Sequence, residues 1–451
     1  MEHFDVLIVG AATAGSFFAR KLAERGHRVL VLEQQPKENL GRKPEVFRIT
    51  KTDFARYALP LPENADDFAF TCTSASVFSA RDGFPKEVPC TAVGVYRFRY
   101  VARLNAWARE AGAEIRYQAA FVSFLYEEGR VAGAVYEQDG VQHTVRAKLV
   151  ADCSGTGAVA RTRLPVGYGV EQAPLAQENL QYITLRHVAY HEPKDYVSCM
   201  RGWPHYPVWE AQEGRTDCAI LGTWVRESFE EGERVFSAMQ RAVKLPRYTI
   251  LRTEQETLPN RTPLFSFVAD GFFVSGNAAY LTVPGSGVGF TVSMAQLVIA
   301  AEEIDRLFNA GGELSRARLW TINVRFQRAQ GRALAVQHVI QMGLSHTTAS
   351  EDDYFYRHNV IFSEQVLAAL TKGTPPVLSV KEKLRGALLL FLGAVAGQVR
   401  FSSVGVLLRS MRNSARAVKL YASYPASEAG FDAWASRAEA FWKKNKKVTF
   451  D

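Results

Sequence analysis

Cysteine is scarce: five residues (Cys72, Cys90, Cys153, Cys199 and Cys218) in a chain of 451. No Cys-x-x-Cys pair occurs, which leaves a disulfide scaffold, a zinc ribbon and an iron–sulfur cluster without support; no metal site is expected. The thiols read as reduced and the compartment as cytoplasmic. No run reaches about 18 apolar residues, so no spanning helix is expected. Met1-Glu2-His3 lacks the basic start of a signal peptide. His-Glu-x-x-His, Gly-x-Ser-x-Gly and Walker loops are all missing, which removes zinc protease, esterase and NTPase readings. A zinc finger, an RNP-like run and a basic region with heptads are missing too, so no nucleic-acid partner is expected. With 47% hydrophobic and 22% charged residues, the composition is that of a globular chain, and the length suggests two or three domains.

Charge is unevenly placed. Residues 380–451 carry thirteen Lys/Arg against five Asp/Glu, which equals the whole chain's net +8, so the rest is neutral. Ala387 to Ala396 is apolar but only two to three helical turns long, and Lys443-Lys444-Asn445-Lys446-Lys447 lies near the end. Two readings stand: a helix packed on the body followed by a solvated basic helix, or a segment in peripheral contact with an anionic membrane.

The chain opens as strand, tight turn, helix, strand: Phe4–Val9, Gly10–Gly15, Ser16–Arg25 and Val29–Leu32. Residues 35–90 read as irregular and rich in Pro and charge. Tyr100 to Gly112 reads as an amphipathic helix with Leu104, Trp107 and Ala108 on one face. Three antiparallel strands follow between Phe121 and Val150, with Asp139-Gly140 as a hairpin turn. Residues 165–260 read as mostly β, Phe272–Gly276 as a buried strand, Phe290 to Phe308 as a helix, and the chain after about Leu319 as mainly helical.

The turn Gly10-Ala11-Ala12-Thr13-Ala14-Gly15 stands where a dinucleotide fingerprint belongs, between a strand and a helix, with Glu33 23 residues after Gly10. A helix N-terminus there suits a pyrophosphate and the Glu33 carboxylate suits ribose hydroxyls. A plain βαβ turn is the other reading of this segment alone. Two more segments share its character. Residues 149–157 read Leu-Val-Ala-Asp-Cys-Ser-Gly-Thr-Gly, a strand running into a small-residue turn. Residues 271–289 read as a strand, a polar turn, and a Pro-Gly-Ser-Gly-Val-Gly loop opening a helix.

Together the three segments resemble the FAD-binding segments of the flavoprotein monooxygenase (p-hydroxybenzoate hydroxylase-like) and geranylgeranyl reductase superfamily, in order and over about residues 1–325. The resemblance implies an α/β fold: a Rossmann-like FAD-binding domain (1–60, 91–165 and 261–325), an inserted β-rich substrate domain (61–90 and 166–260) and a helical C-terminal region (326–451). It implies FAD held by Gly10, Ala12, Thr13, Ala14, Gly15, Glu33, Gln34, Arg42, Arg97, Asp152, Gly155, Gly276, Asn277, Pro284, Gly287, Val288 and Gly289. NAD(P)H, where used, would donate electrons transiently, since no second nucleotide fingerprint occurs. The sequence departs from the family pattern at Ala12 in place of a glycine, at Asn277 in place of an aspartate, at Cys153 in place of a small residue, and in having no Cys-Gly pair within Lys37–Phe47.

The expected function is FAD-dependent oxidoreduction of a small apolar or aromatic substrate. A reductase or dehydrogenase like the geranylgeranyl reductases is favoured. A monooxygenase using NAD(P)H and oxygen is the alternative, and a flavin-binding or electron-transfer protein with a redox partner is the alternative of another class. A halogenase is disfavoured because no Trp-x-Trp-x-Ile-Pro run occurs. Trp203, Tyr206, Trp209 and Trp224 are candidates for an aromatic wall or for ordinary packing. No catalytic acid or base is assigned: His187, His191 and His205 have no carboxylate at a telling spacing.

Overall fold

The computed structural model describes residues 1–42, 46–62, 64, 67–79, 86–192, 199–203, 206–212, 218–242, 245–283, 287–360, 363, 366–367 and 379–447. The opening βαβ is β1 (Glu2–Val9), α1 (Thr13–Ala23) and β2 (Val29–Glu33). The apolar runs of β1 and β2 are buried on both faces, as strands of a covered parallel sheet must be. α1 turns Ala14, Phe17, Phe18 and Leu22 inward and packs on helices α3 (Arg97–Glu110) and α5 (Phe290–Asn309).

The stretch read as irregular contains β3 (Val46–Thr50), α2 (Lys51–Arg56), β4 (Phe68–Phe78) and β5 (Lys86–Tyr96). Between Phe70 and Val77, β4 is written in Thr, Cys, Ser and Ala and lacks the apolar alternation that would announce a half-buried strand. Helix α3 begins three residues before Tyr100. Beyond it run β6 (Glu114–Tyr117), β7 (Ala119–Glu127), β8 (Arg130–Gln138) and β9 (Val141–Asp152), of which β7, β8 and β9 form the expected meander. The β-rich region holds β10 (Leu180–Tyr190), β11 (Cys199–Trp203), β12 (Tyr206–Gln212), β13 (Cys218–Val225) and β14 (Tyr248–Pro259). It also holds a helix the sequence reading did not expect, α4 (Phe229–Ala242). The pair β15 (Val268–Ala269) and β16 (Phe272–Val274) returns the chain to the first sheet.

Two sheets result. In the first, β16, β9, β1, β2 and β6 lie side by side in parallel, with β15 and the meander at its margins. This arrangement brings the carboxyl ends of β1, β9 and β16 together, where open α/β sheets bind their ligands. The second sheet has the order β14-β10-β13-β12-β11-β4-β5-β3. One of its faces packs on α4 through Val188, Val208, Leu221 and Phe236; the other carries Ile183, Leu185, Ile220 and Trp224.

The C-terminal part is helical: α6 (Arg316–Phe326), α7 (Arg332–Leu344), α8 (Ala349–His358), then helices Val380–Val395, Phe401–Ala422 and Phe431–Lys447. Trp434 of the last helix is fully buried against Phe265, Tyr421 and Tyr424. The Lys-rich end therefore belongs to a helix that packs on the body.

Glu351 holds the first two of these long helices in place. Its carboxylate accepts the Arg400 backbone N–H at 2.7 Å and the Arg400 guanidinium at 3.0–3.1 Å, and it also completes the capping box of α8 with Thr348. Burial alone would raise its pKa, but the Arg400 side-chain and backbone hydrogen bonds outweigh burial and hold it at about 2. A depressed carboxyl stabilises the fold above its ordinary value of 4.5 and loses that contribution as pH falls towards 2. Glu351→Gln keeps the capping geometry and removes the charge. It should cost about 2 kcal/mol at neutral pH. Thermal unfolding of the two proteins should draw together as pH falls from about 4 towards 2, and a gap independent of pH would exclude the pair.

Candidate FAD-binding site

At the first turn, the chain leaves β1 through Gly10 at φ +102°, where a Cβ would lie 2.6 Å from the Cys153 carbonyl oxygen. A Cβ at Gly15 would lie 1.8 Å from the Gly10 carbonyl oxygen, so both ends of the turn require bare backbone. The middle position does not. Ala12 has φ −76° and ψ −163°, which any residue adopts, so its methyl brings no backbone strain. Ala12 is also the N-cap of α1 and offers no side-chain oxygen to the first turn, leaving helix N–H groups for an anion. Ala12 and Thr13 are half-buried at this helix start, while Ala14 and Gly15 are buried beneath.

Glu33, at the end of β2, is 6% exposed. One of its oxygens accepts the Ala11 N–H and the other the Gln35 N–H, both at 2.8 Å. Each oxygen keeps a lone pair for a further donor, which suits a diol. Gln34 beside it is exposed. Asn105 of α3, which the sequence reading missed, donates to the Ala11 carbonyl at 3.0 Å and to Val101 at 2.7 Å, and accepts from the Tyr117 hydroxyl at 3.1 Å. Ser16 donates to the same Ala11 carbonyl at 2.6 Å. The first turn is thus fixed from three sides. Arg42 lies against the start of α3, whose first residue is Arg97: the Arg42 guanidinium stacks on Phe98 at 5.1 Å, and a Cβ on neighbouring Gly41 would lie 3.0 Å from the Arg97 carbonyl oxygen.

At the second turn, Asp152 is fully buried and points inward. It accepts from the Ser154 N–H at 2.9 Å, the Ser154 hydroxyl at 2.6 Å and the Arg161 N–H at 2.6 Å. Burial pushes its carboxyl up, and the Ser154 and Arg161 hydrogen bonds oppose that. Its role is to shape the turn, in which Gly155 has open space over its α-carbon. Cys153 is buried, and burial pushes its thiol well up, so it acts as an inert filler.

The third segment forms a short 3₁₀ turn, Gly276–Ala279, and then a loop closed by the Val288 carbonyl on the Val283 N–H at 2.9 Å. Asn277 Oδ1 accepts from Thr282 at 3.5 Å and would be 3.3 Å from a Cβ at Gly289. Val288 is partly buried between Gly287 and Gly289, and Gly289 is the N-cap of α5 without a side-chain cap. Pro284 lies outside the described residues. Arg161, fully buried and unforeseen, joins the second and third segments. It donates to the Ala278 carbonyl at 2.9 Å and the Tyr280 hydroxyl at 2.7 Å, besides the Glu171 and Ala173 carbonyls.

Two uncapped helix starts, a carboxylate with free lone pairs and turns that a Cβ would fill suit a dinucleotide whose ring would lie on bare backbone, as FAD requires. The fold and site define a flavoprotein. Residues 3–313 match the model of the FAD binding domain family, and the chain belongs to that family. It is an FAD-dependent oxidoreductase. The digeranylgeranylglycerophospholipid reductase of Sulfolobus acidocaldarius is 23% identical over 453 residues, a match spanning 96% of this chain and 95% of that one. Among solved structures, a geranylgeranyl bacteriochlorophyll reductase-like protein from Thermoplasma acidophilum is similar with a TM-score of 0.73 at 17% identity, over 88% of this chain and 98% of that one. The flavin-dependent brominase Bmp2 is similar with a TM-score of 0.64 at 17% identity, over 92% and 99%.

The remaining sequence candidates fall in the second sheet. Trp224 is buried and Trp209 partly buried on its apolar face. Trp203 and Tyr206 pair across β11 and β12. His205 lies outside the described residues. His191 contacts Thr249 at 3.0 Å on the surface. His187 does have a carboxylate partner, contrary to the sequence reading: Glu254 Oε1 lies 3.0 Å from its Nε2 across β10 and β14. The two are 67 residues apart, so no local spacing could show it.

Removing Glu33 takes away an acceptor suited to ribose hydroxyls and releases the Ala11 N–H together. Glu33→Ala should weaken FAD binding by roughly 10- to 100-fold, about 1.5–3 kcal/mol. Titration of the apoprotein with FAD measures it, and unchanged affinity would move the adenosine site elsewhere. Asn277→Asp should keep the flavin and lower its reduction potential, because an added negative charge opposes electron uptake; a raised potential in a dye-coupled titration would place residue 277 away from the ring.

Proposed function

We propose that the protein reduces carbon–carbon double bonds in a long apolar isoprenoid lipid. The observation that carries this is where the apolar face of the second sheet meets the third turn. A Cβ at Gly287 would lie 3.9 Å from both Ile183 Cδ1 and Leu258 Cδ1, and 3.1 Å from Gln181 Nε2. From that contact the face continues through Leu185, Ile220, Trp224 and Trp209. An extended hydrocarbon chain laid on such a face is held by area rather than by polar contacts. The end-to-end likeness to a reductase of a geranylgeranyl lipid supports the same reading.

When bound, FAD supplies the two-electron chemistry of such a reduction. The protein's share is positioning and shielding. The start of α1 would hold the pyrophosphate and Glu33 the ribose, and the start of α5 would offer N–H dipoles to negative charge on the reduced ring. The apolar face orients the substrate and keeps water from it. Gln181 is buried beside Gly287, and among the described residues its Nε2 has no hydrogen-bond partner, which leaves a polar group on that face next to the third turn. His187 shares the face but lies six residues further along β10, roughly 20 Å away. His187 and Glu254 therefore mark the far end of the substrate face and do not reach the reacting atoms.

The test is anaerobic turnover of the dithionite-reduced holoprotein with a geranylgeranyl glycerolipid, read by mass spectrometry. Gain of one H2 per double bond is expected. An oxygen-dependent hydroxylated product with no saturated one would overturn the proposal in favour of a monooxygenase. Trp224→Leu should raise KM about tenfold, or 1.4 kcal/mol, with FAD content unchanged.

A further inference from the structure

Helices Val380–Val395 and Phe401–Ala422 form a hairpin whose inner side is firmly anchored. Leu390, Val399 and Leu407 pack on Tyr354 and Phe355 of α8. Gly393 lets the Tyr354 ring come so close that a Cβ would lie 2.7 Å from it, and the Tyr354 hydroxyl donates to the Leu389 carbonyl at 2.7 Å. With Arg400 bound to Glu351, the hairpin's orientation on the body is set.

The outer side is the opposite of what a soluble surface helix presents. Leu384, Leu388, Phe391 and Val395 recur at the spacing of one helical face, with Leu392 at its edge, and all five are between 51% and 67% exposed. Phe401, 66% exposed, carries the strip across the turn, and Leu408 and Met411 extend it. Single exposed apolar residues are ordinary, whereas a contiguous strip marks a contact surface. The two helices together hold seven Lys/Arg (Lys381, Lys383, Arg385, Arg409, Arg412, Arg416 and Lys419) and one acid, Glu382.

We infer that this outer face docks on an anionic lipid bilayer, with the leucines and phenylalanines in the acyl boundary and the basic side chains among the headgroups. A second copy of the chain would bring the same positive charge against itself, so charge opposes self-association. A bilayer surface accepts the apolar strip and the single-sign charge at once. The helix Val380–Val395 is about 24 Å long, short of the roughly 30 Å hydrocarbon core. Among the described residues no helix is long and apolar enough to cross a membrane, so the contact is peripheral. This inference is independent of which bond the enzyme reduces.

The test is flotation of the FAD-loaded protein with phosphatidylglycerol–phosphatidylcholine vesicles and with pure phosphatidylcholine vesicles. Binding to the anionic vesicles and release by raised salt are expected, because each basic group adds about fivefold in partition that ions screen. The triple variant Arg409→Glu, Arg412→Glu, Arg416→Glu should lose binding on the order of a hundredfold. Leu388→Ser with Phe391→Ser should lose it at every salt concentration. Retained flavin absorbance shows that each variant is folded. Equal binding to both vesicle types, or to neither, would overturn the inference, as would a dimer in sedimentation velocity that Leu388→Ser with Phe391→Ser dissolves.

Discussion

The site depends on one buried guanidinium. Arg161 has no access to solvent and spends its donors on the carbonyls of Glu171, Ala173 and Ala278 and the hydroxyl of Tyr280. Its own backbone N–H is taken by Asp152. A buried charge is tolerated only where its hydrogen bonds are met, and here meeting them locks the turn after β9 to the turn after β16. Tyr280 shows what this lock withstands. It sits at φ +59°, a conformation unusual for a bulky residue, with the guanidiniums of Arg161 and Arg261 5.0 and 4.6 Å from the centre of its ring. The left-handed turn there directs the chain into the Val283–Val288 loop. Without Arg161, neither the turn's strain nor the orphaned carbonyls would be compensated.

The parallel order of β16, β9 and β1 supplies the rest. Backbone bonds from Cys153 to Val9 at 2.9 Å and from Ser275 to Asp152 at 2.9 Å align the three strand ends. Small residues follow at each end because the chains cross at contact distance. A cofactor laid on these ends would therefore meet backbone on one side and the second sheet on the other. The first side suits one dinucleotide and leaves little room for change; the second is a broad surface whose side chains decide what is bound beside the ring.

This division explains what was legible in the sequence. The three turns could be read because close backbone approach demands glycine or alanine at fixed offsets after apolar strands. The clamps could not: Arg161 reaches Ala278 across 117 positions and Asn105 reaches Ala11 across 94, and neither residue type is marked for such a role. Strand β4 was hidden by its Ser, Thr and Ala content, since its pairing with β5 supplies what its side chains do not. Asp152 matched the family's pattern by position, yet its carboxylate serves the turn, a distinction visible only once its three donors are placed.

The substitutions at Ala12 and Asn277 follow from the same geometry. A glycine is indispensable where φ is positive or a Cβ would collide, and Ala12 meets neither condition. Asn277 keeps an acceptor oxygen beside Gly289 and drops the charge that an aspartate would place at the start of α5. An aspartate there would be attracted by the positive end of that helix and would offset part of its field. With asparagine the field of the α5 start acts undiminished at the loop, which favours negative charge on a reduced ring. With FAD bound, the departure would thus shift the site towards the reduced flavin while keeping an acceptor oxygen at position 277.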